Sequence, residues 1–208
     1  MTRDQAVALI KQILGFRSDK TTEIENQILF QQQELEHEPT LPYFLRAEVT
    51  DLTSTADDEN LAVPTGFIRE WDEDVLQVEN AEGAWSKLVK DSPDYLRSVY
   101  QAETGIPVAY SYDGISGNFK LFPTPDAEYT FRLTYYKQDA VLSSNITNLW
   151  LTHQPFLLIG RVGVILASSL RDQNAIQIFS SMIQSETVKI NALTTERDSR
   201  RYTVGGDD

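Results

Sequence analysis

Residues 121–137 read "LFPTPDAEYTFRLTYYK", and this stretch decides how the chain is read. Tyr129, Phe131, Leu133 and Tyr135 alternate with Thr130, Arg132, Thr134 and Tyr136. Successive side chains of a strand point to opposite faces, so the first set shares one face and the second set the other. Pro123 and Pro125 have no amide to donate and therefore end a ladder, and Asp126-Ala127 turns the chain into the next strand. The stretch predicts a stiff hairpin with no catalytic group beside it.

The same period extends outward. From Tyr43 onward, "FLRAEVTDLT", "TGFIREW", "VLQVE", "AWSKLVK", "PVAYSYD" and "NFKLF" recur between Gly, Pro, Asn and Asp clusters. That pattern predicts antiparallel strands in a sheet or small sandwich over residues 43–145, with Phe119, Leu121, Phe131, Leu133 and Tyr135 in its core. One helix interrupts it near 92–101. Ser92 is placed to cap it, Pro93 suits its first position, and Tyr95, Leu96 and Val99 form its apolar face.

On either side the period is helical. Thr2-x-x-Gln5 has the form of a capping box, and Ala6, Leu9, Ile10 and Ile13 follow at helical spacing up to a stop at Gly15. A second helix starts at Thr22 and buries Ile24, Ile28 and Leu35. "QQQELEHE" reads as its solvated last turns, ended by Pro39 and Pro42. After Leu149, "WLTHQPFLLIGRVGVILASSLRD" reads as one long apolar helix from near Thr152, with Pro155 in its first turn. Its core or subunit-contact residues are Phe156, Leu157, Ile159, Val162, Ile165, Leu166 and Leu170. Asp172 or Asn174 opens another helix with a seam of Ile176, Phe179, Ile183, Ile190 and Leu193, folded back as an antiparallel partner.

From residue 195 the periodicity stops, and "ERDSRRYTVGGDD" reads as an extended arm over 195–208. The predicted class is therefore α+β. Helices from residues 1–42 and 146–194 form one helical core, a β domain over 43–145 is inserted between them, and an arm closes the chain.

Charge and composition narrow the function. The chain has 208 residues, 41% hydrophobic and 24% charged, which is enough to bury a core. Its formal charge of −13 argues against a module that holds nucleic acid by displacing counterions. It leaves room for an acidic wall that DNA slides past. With no cysteine, disulfides, thiolate catalysis and zinc–thiolate sites are excluded. "MTRDQAVALIKQ" lacks the apolar core of a signal peptide, and Arg161 interrupts the one apolar stretch, so no membrane span is expected.

Chemistry-bearing patterns are sparse. His37 and His153 stand in unrelated contexts and read as ordinary helix-terminus residues. The acidic runs 57–59 and 72–74 lack the alternating oxygens and glycine of a calcium loop. Gly114-x-x-Gly117 lies between two strand patterns without a basic helix, so it reads as a hairpin loop and not a nucleic-acid clamp. No phosphate loop, nucleophile elbow or His-Glu-x-x-His is present, and no catalytic residue, metal or cofactor is expected.

Tyr95, Tyr100, Tyr110, Tyr112, Tyr129, Tyr135 and Tyr136 concentrate in the middle of the chain with Trp71 and Trp85. They suit a sheet core, an interface or a sugar-stacking face.

The ordered combination resembles a known family. "GIPVAYSYDGISGNFKLFPTPDAEYTFRLTYYKQDAVLS" shows a Pro followed by Tyr, a Gly-containing turn, a strand into Pro-x-Pro-Asp, an alternating strand ending Tyr-Tyr, then Leu-Ser. "NLWLTHQPFLLIGRVGVILASSLRD" continues with Trp-Leu, a Pro, Leu-Leu-x-Gly and a small-and-apolar helix closed by Arg-Asp. Over about residues 85–205 this is similar to the head–tail adaptor (connector, or head-completion) proteins of tailed bacteriophages.

The resemblance implies a non-enzymatic virion protein at the head–tail junction, assembled in the host bacterial cytoplasm. It implies a homo-oligomeric ring of roughly twelve copies below the portal, closed by rotation. Tail or nozzle proteins would lie on the opposite side, and DNA would pass through the channel without specific binding. The arm, with Arg197, Arg200, Arg201, Tyr202 and Val204, would contact the portal protein. A carbohydrate-binding or adhesin-type tail module that uses the aromatic face of the β domain is the alternative. A hydrolase with a carboxylate pair stands last, because nothing selects a pair.

Overall fold

The computed structural model describes residues 1–72, 75–101 and 103–202, with side chains to Thr195 in the last helix. The chain divides into two compact units: Met1–Leu45 together with Asp139–Asp208, and Arg46–Gln138. The boundaries fall at 45/46 and 138/139, where the sequence pattern had suggested 42/43 and 145/146.

The first unit is helical. α1 (Arg3–Ile13) opens with the complete Thr2/Gln5 capping box, and Gly15 and Phe16 end it at φ 74° and 60°. After a 3₁₀ turn at Ser18–Lys20, α2 (Thr21–Glu36) buries Ile24, Ile28 and Leu35 as expected. It also buries Gln31, Gln32 and Glu36, so the end of this helix is not a solvated turn. These positions continue the Ile24–Ile28 stripe at helical spacing, and their polar groups are taken up by the network described below.

The single long helix expected from Thr152 is two. α4 (Leu149–His153) is capped by Asn148, and α5 (Pro155–Ser169) begins after Gln154, which is non-helical at φ −139° and ψ 51°. A residue before proline is pushed out of the helical region, and this breaks the helix there. Asp172 opens α6 (Gln173–Tyr202), its Oδ1 accepting from the Ala175 amide at 3.0 Å; Asn174 lies inside the helix.

α6 continues through Tyr202, so residues 195–202 are helical and not an extended arm. The stretch holds Glu196, Arg197, Arg200 and Arg201, residue types that favour helix. A missing apolar period does not by itself exclude a helix. Val204 lies outside the described residues.

The second unit holds nine strands among its described residues, in two sheets. The first contains β1 (Arg46–Thr53), β3 (Phe67–Glu70), β4 (Leu76–Glu79), β5 (Trp85–Lys87) and β9 (Thr130–Lys137). β9 pairs antiparallel with β1 along one edge, and with β4 and β3 along the other. The second sheet has the order β2 (Asn60–Ala62), β8 (Asn118–Phe122), β7 (Ala109–Asp113), β6 (Val89–Lys90). Only the β6–β7 pair in it is parallel.

Side chains from both sheets share one core: Leu76, Val78, Phe131, Leu133 and Tyr135 from the first, Leu61, Tyr110, Phe119 and Leu121 from the second. β9 alternates between half-buried and buried as its sequence predicts. β8 and β9, however, lie in different sheets. Residues 123–129 are therefore a crossover and not a hairpin turn. The prolines end the β8 ladder, and the chain passes to the facing sheet.

α3 (Pro93–Tyr100) is capped by Ser92 as predicted. Of its expected apolar face only Leu96 is buried, against Ala109 and Phe122; Tyr95 and Val99 are exposed.

Candidate functional site

The helical hairpin of α5 and α6 is built on two glycines. A β-carbon on Gly163 would stand 2.2 Å from Phe179 Cδ1, and one on Gly160 would stand 2.9 Å from the Phe179 carbonyl oxygen. The bare backbone of α5 is thus the seat into which the fully buried Phe179 ring fits. The 160/183 and 163/179 pairings run in opposite senses, so the two helices are antiparallel.

Leu157, Ile159, Val162 and Leu166 of α5 are buried, Leu170 is half-buried, and Phe156 (38%) and Ile165 (40%) are exposed. On α6, Ile176, Ile183 and Ile190 are half-buried, while Ile178, Val188 (65%) and Leu193 face solvent. The helical pair therefore presents apolar side chains on its outer surface. Arg161, which interrupts the apolar run of α5, forms an ion pair with Glu38.

α6 has 30 residues and α5 has 15. At 1.5 Å per residue these are about 45 Å and about 22 Å long. Ile190 and Asn191 still line a small cavity with Leu35, Leu157 and Arg161. Arg197, Arg200, Arg201 and Tyr202 occupy the last turns of the longer helix.

A polar node at the end of α2 was invisible to motif reading. Glu36 is 2% exposed. Its Oε1 accepts from Gln32 Nε2 at 3.0 Å, from the Asp139 amide at 3.3 Å and from Trp150 Nε1 at 3.3 Å. Asn148 uses its whole amide: Oδ1 accepts from the Leu151 amide, and Nδ2 donates to Gln32 Oε1 and to the Ala140 carbonyl, both at 3.1 Å. Burial pushes the Glu36 carboxyl up, the three donors oppose that, and the neighbouring Asp139 carboxylate adds to it. The available signal was the helical spacing of Gln32 and Glu36 after Ile28.

In the β unit, the predicted core residues Phe119, Leu121, Phe131, Leu133 and Tyr135 come together in one cluster. The aromatic residues of this unit are divided: Tyr95 and Tyr112 are exposed, and others are covered. Tyr110 and Tyr135 are buried, and the Arg46 and Arg132 guanidinium groups lie over the rings of Trp71 (3.4 Å) and Trp85 (4.9 Å). Residues 114–117 make the β7–β8 loop, closed by the Asp113–Asn118 pair. There the Asp113 carboxylate accepts from the Ile115 and Ser116 amides and from Ser116 Oγ, leaving Ile115 wholly exposed.

Of the acidic runs, Asp58 Oδ1 accepts from Asn60 and Glu59 pairs with Lys120 at 2.7 Å. Glu73 and Asp74 lie outside the described residues. No group of acids and histidines suited to a metal ion occurs among the described residues. His37 Nδ1 lies 2.6 Å from the Gln33 carbonyl, and the His153 ring stacks on Phe44 at 5.1 Å. No helix among the described residues is long and apolar enough to cross a membrane.

No curated protein matches the chain. A family model does, that of the SU10 adaptor protein, over residues 1–205. With an α+β fold and that match along nearly its whole length, the chain belongs to the SU10 adaptor protein family, a family of phage head–tail adaptors and structural proteins of the virion.

Proposed function

We propose that this adaptor forms a ring of roughly twelve copies directly below the portal, joining head to tail around a channel for DNA. The observation that carries this reading is the α5–α6 hairpin. Its outer face keeps Phe156, Ile165, Ile178 and Val188 exposed, side chains that a neighbouring copy would cover. A head-to-tail contact of this kind closes by rotation. The formal charge of −13 supports a lumen that DNA passes without adhering.

The portal contact is assigned to the last turns of α6 and the residues beyond, with Arg197, Arg200, Arg201, Tyr202 and Val204. Arginines there can pair bidentately with acidic groups of the portal, and Tyr202 can anchor in an apolar pocket. Tail or nozzle proteins are assigned to the opposite side, and the head–tail junction is the protein's place in the virion.

The test is co-sedimentation with purified portal rings. The full chain is expected to pellet with the rings, and a chain lacking Thr195–Asp208 to remain in the supernatant. Undiminished binding by the shortened chain would overturn the assignment of the contact.

A further inference from the structure

The node around Glu36 holds the connector 139–148, the segment that leads into α4. Three side chains of the two N-terminal helices fasten this connector. Asp4 of α1 accepts from Ser144 Oγ at 2.9 Å and from the Asn145 amide at 3.2 Å. Gln32 of α2 donates to the Ala140 carbonyl at 3.2 Å, and Glu36 accepts from the Asp139 amide. At the far end, Asp139 Oδ2 accepts from the Trp150 amide at 3.1 Å and so starts α4.

The Glu36 carboxyl is placed unevenly in this node. All three of its donors converge on Oε1, while Oε2 is buried with no hydrogen-bond partner. An ionised carboxylate buried in this way lacks half of its solvation, and an uncompensated buried charge is costly. The neutral acid keeps the same three donors on its carbonyl oxygen and leaves a buried hydroxyl at Oε2, which costs less than a buried charge.

The charges around it do not compensate either. From the connector, the Asp139 carboxylate repels the ionised form. From α5, Arg161 is turned to Glu38. From α4, Trp150 offers only its indole donor, and His153 stacks on Phe44. On α2 itself, Gln32 contributes an amide, and His37 lies against the Gln33 carbonyl.

We propose that Glu36 is a proton-operated latch: protonated, it holds the connector 139–148 onto α2 and α4, and ionised, it releases that connector. This goes beyond the adaptor role and concerns the helical unit by itself. The sign follows from linkage. Burial raises the carboxyl's pKa in the closed form, so closing is favoured in full below the ordinary glutamate range. That contribution is lost as pH rises through the raised value.

The experiment is amide hydrogen exchange on the full chain from about pH 4 to about pH 8, expressed as protection relative to the free peptide rate. Wild type and Glu36→Gln are compared at the Asp139 and Trp150 amides. Protection in the wild type is expected to fall severalfold as pH rises, and in the variant to stay level. A wild type with level protection, or a variant with an unchanged fall, overturns the proposal.

Should Glu36→Gln fail to fold, the Glu36 carboxyl is followed in the wild type by carbon NMR. A titration that coincides with the loss of protection supports the latch. A carboxyl already ionised throughout the range contradicts it.

Discussion

The Phe179 ring sits on the bare backbone of Gly163, where a β-carbon would stand 2.2 Å from Cδ1. Together with the approach of Gly160 to Ile183, this contact sets how closely α6 approaches α5. A methyl group cannot be added there unless the helices part or the ring leaves its pocket. Gly163→Ala is therefore expected to destabilise the helical unit by at least about 2 kcal/mol, despite alanine's better helix propensity. Phe179→Ala, which empties the seat, is expected to cost about 3–5 kcal/mol. Denaturant unfolding followed by circular dichroism measures both. A Gly163→Ala protein as stable as the wild type would show that the helices are not so tightly apposed.

Asn148 caps α4 and donates twice into the Glu36 node, so its replacements separate these roles. Asn148→Asp keeps an acceptor for the Leu151 amide but loses both donors and adds a third carboxylate beside Glu36 and Asp139. It is expected to destabilise more at neutral pH than at acid pH. Asn148→Ala loses the cap as well as the donors and is expected to cost about 2–4 kcal/mol with little dependence on pH. Thermal melts at two pH values distinguish the pair.

In β9, neighbouring residues have opposite fates. Leu133 is fully buried between the sheets and Thr134 faces the other side. Leu133→Ala is expected to cost about 2–5 kcal/mol, and Thr134→Ala less than about 1 kcal/mol. Similar costs for both would contradict the register.

Asp4 ties α1 to the connector, and its carboxyl is held below the ordinary value first by the Ser144 hydroxyl. A lowered acid stabilises above its ordinary range, and that contribution is lost as pH falls through the lowered value. Asp4→Asn is therefore expected to lose part of the acid-side fall in melting temperature, and Ser144→Ala to move the Asp4 titration, read by NMR, upward toward the ordinary range.

Features that rest on near neighbours were legible in the sequence. The Thr2/Gln5 box, the Ser92 cap and the alternation of β9 each depend on residues within a few positions. What depends on distant partners was not. Gln32 looks solvated until Asn148, 116 positions away, meets it. The prolines after Phe122 announce the end of a strand, but not that the next strand joins the other sheet. "AWSKLVK" reads as one strand, yet β5 and β6 serve different sheets on either side of the buried Leu88. β2 (Asn60–Ala62) carries no legible period because it has only three residues, of which Leu61 alone is buried. The last turns of α6 were misread because a helix without an apolar face resembles a coil in hydropathy alone.

The protein's role at the head–tail junction is tested most directly by electron microscopy of the full chain mixed with purified portal rings. An added ring of roughly twelve copies is expected, coaxial with the portal and lying below it, with helical density reaching the portal surface. Portal rings that remain bare at saturating protein, with the adaptor recovered unbound, would contradict it.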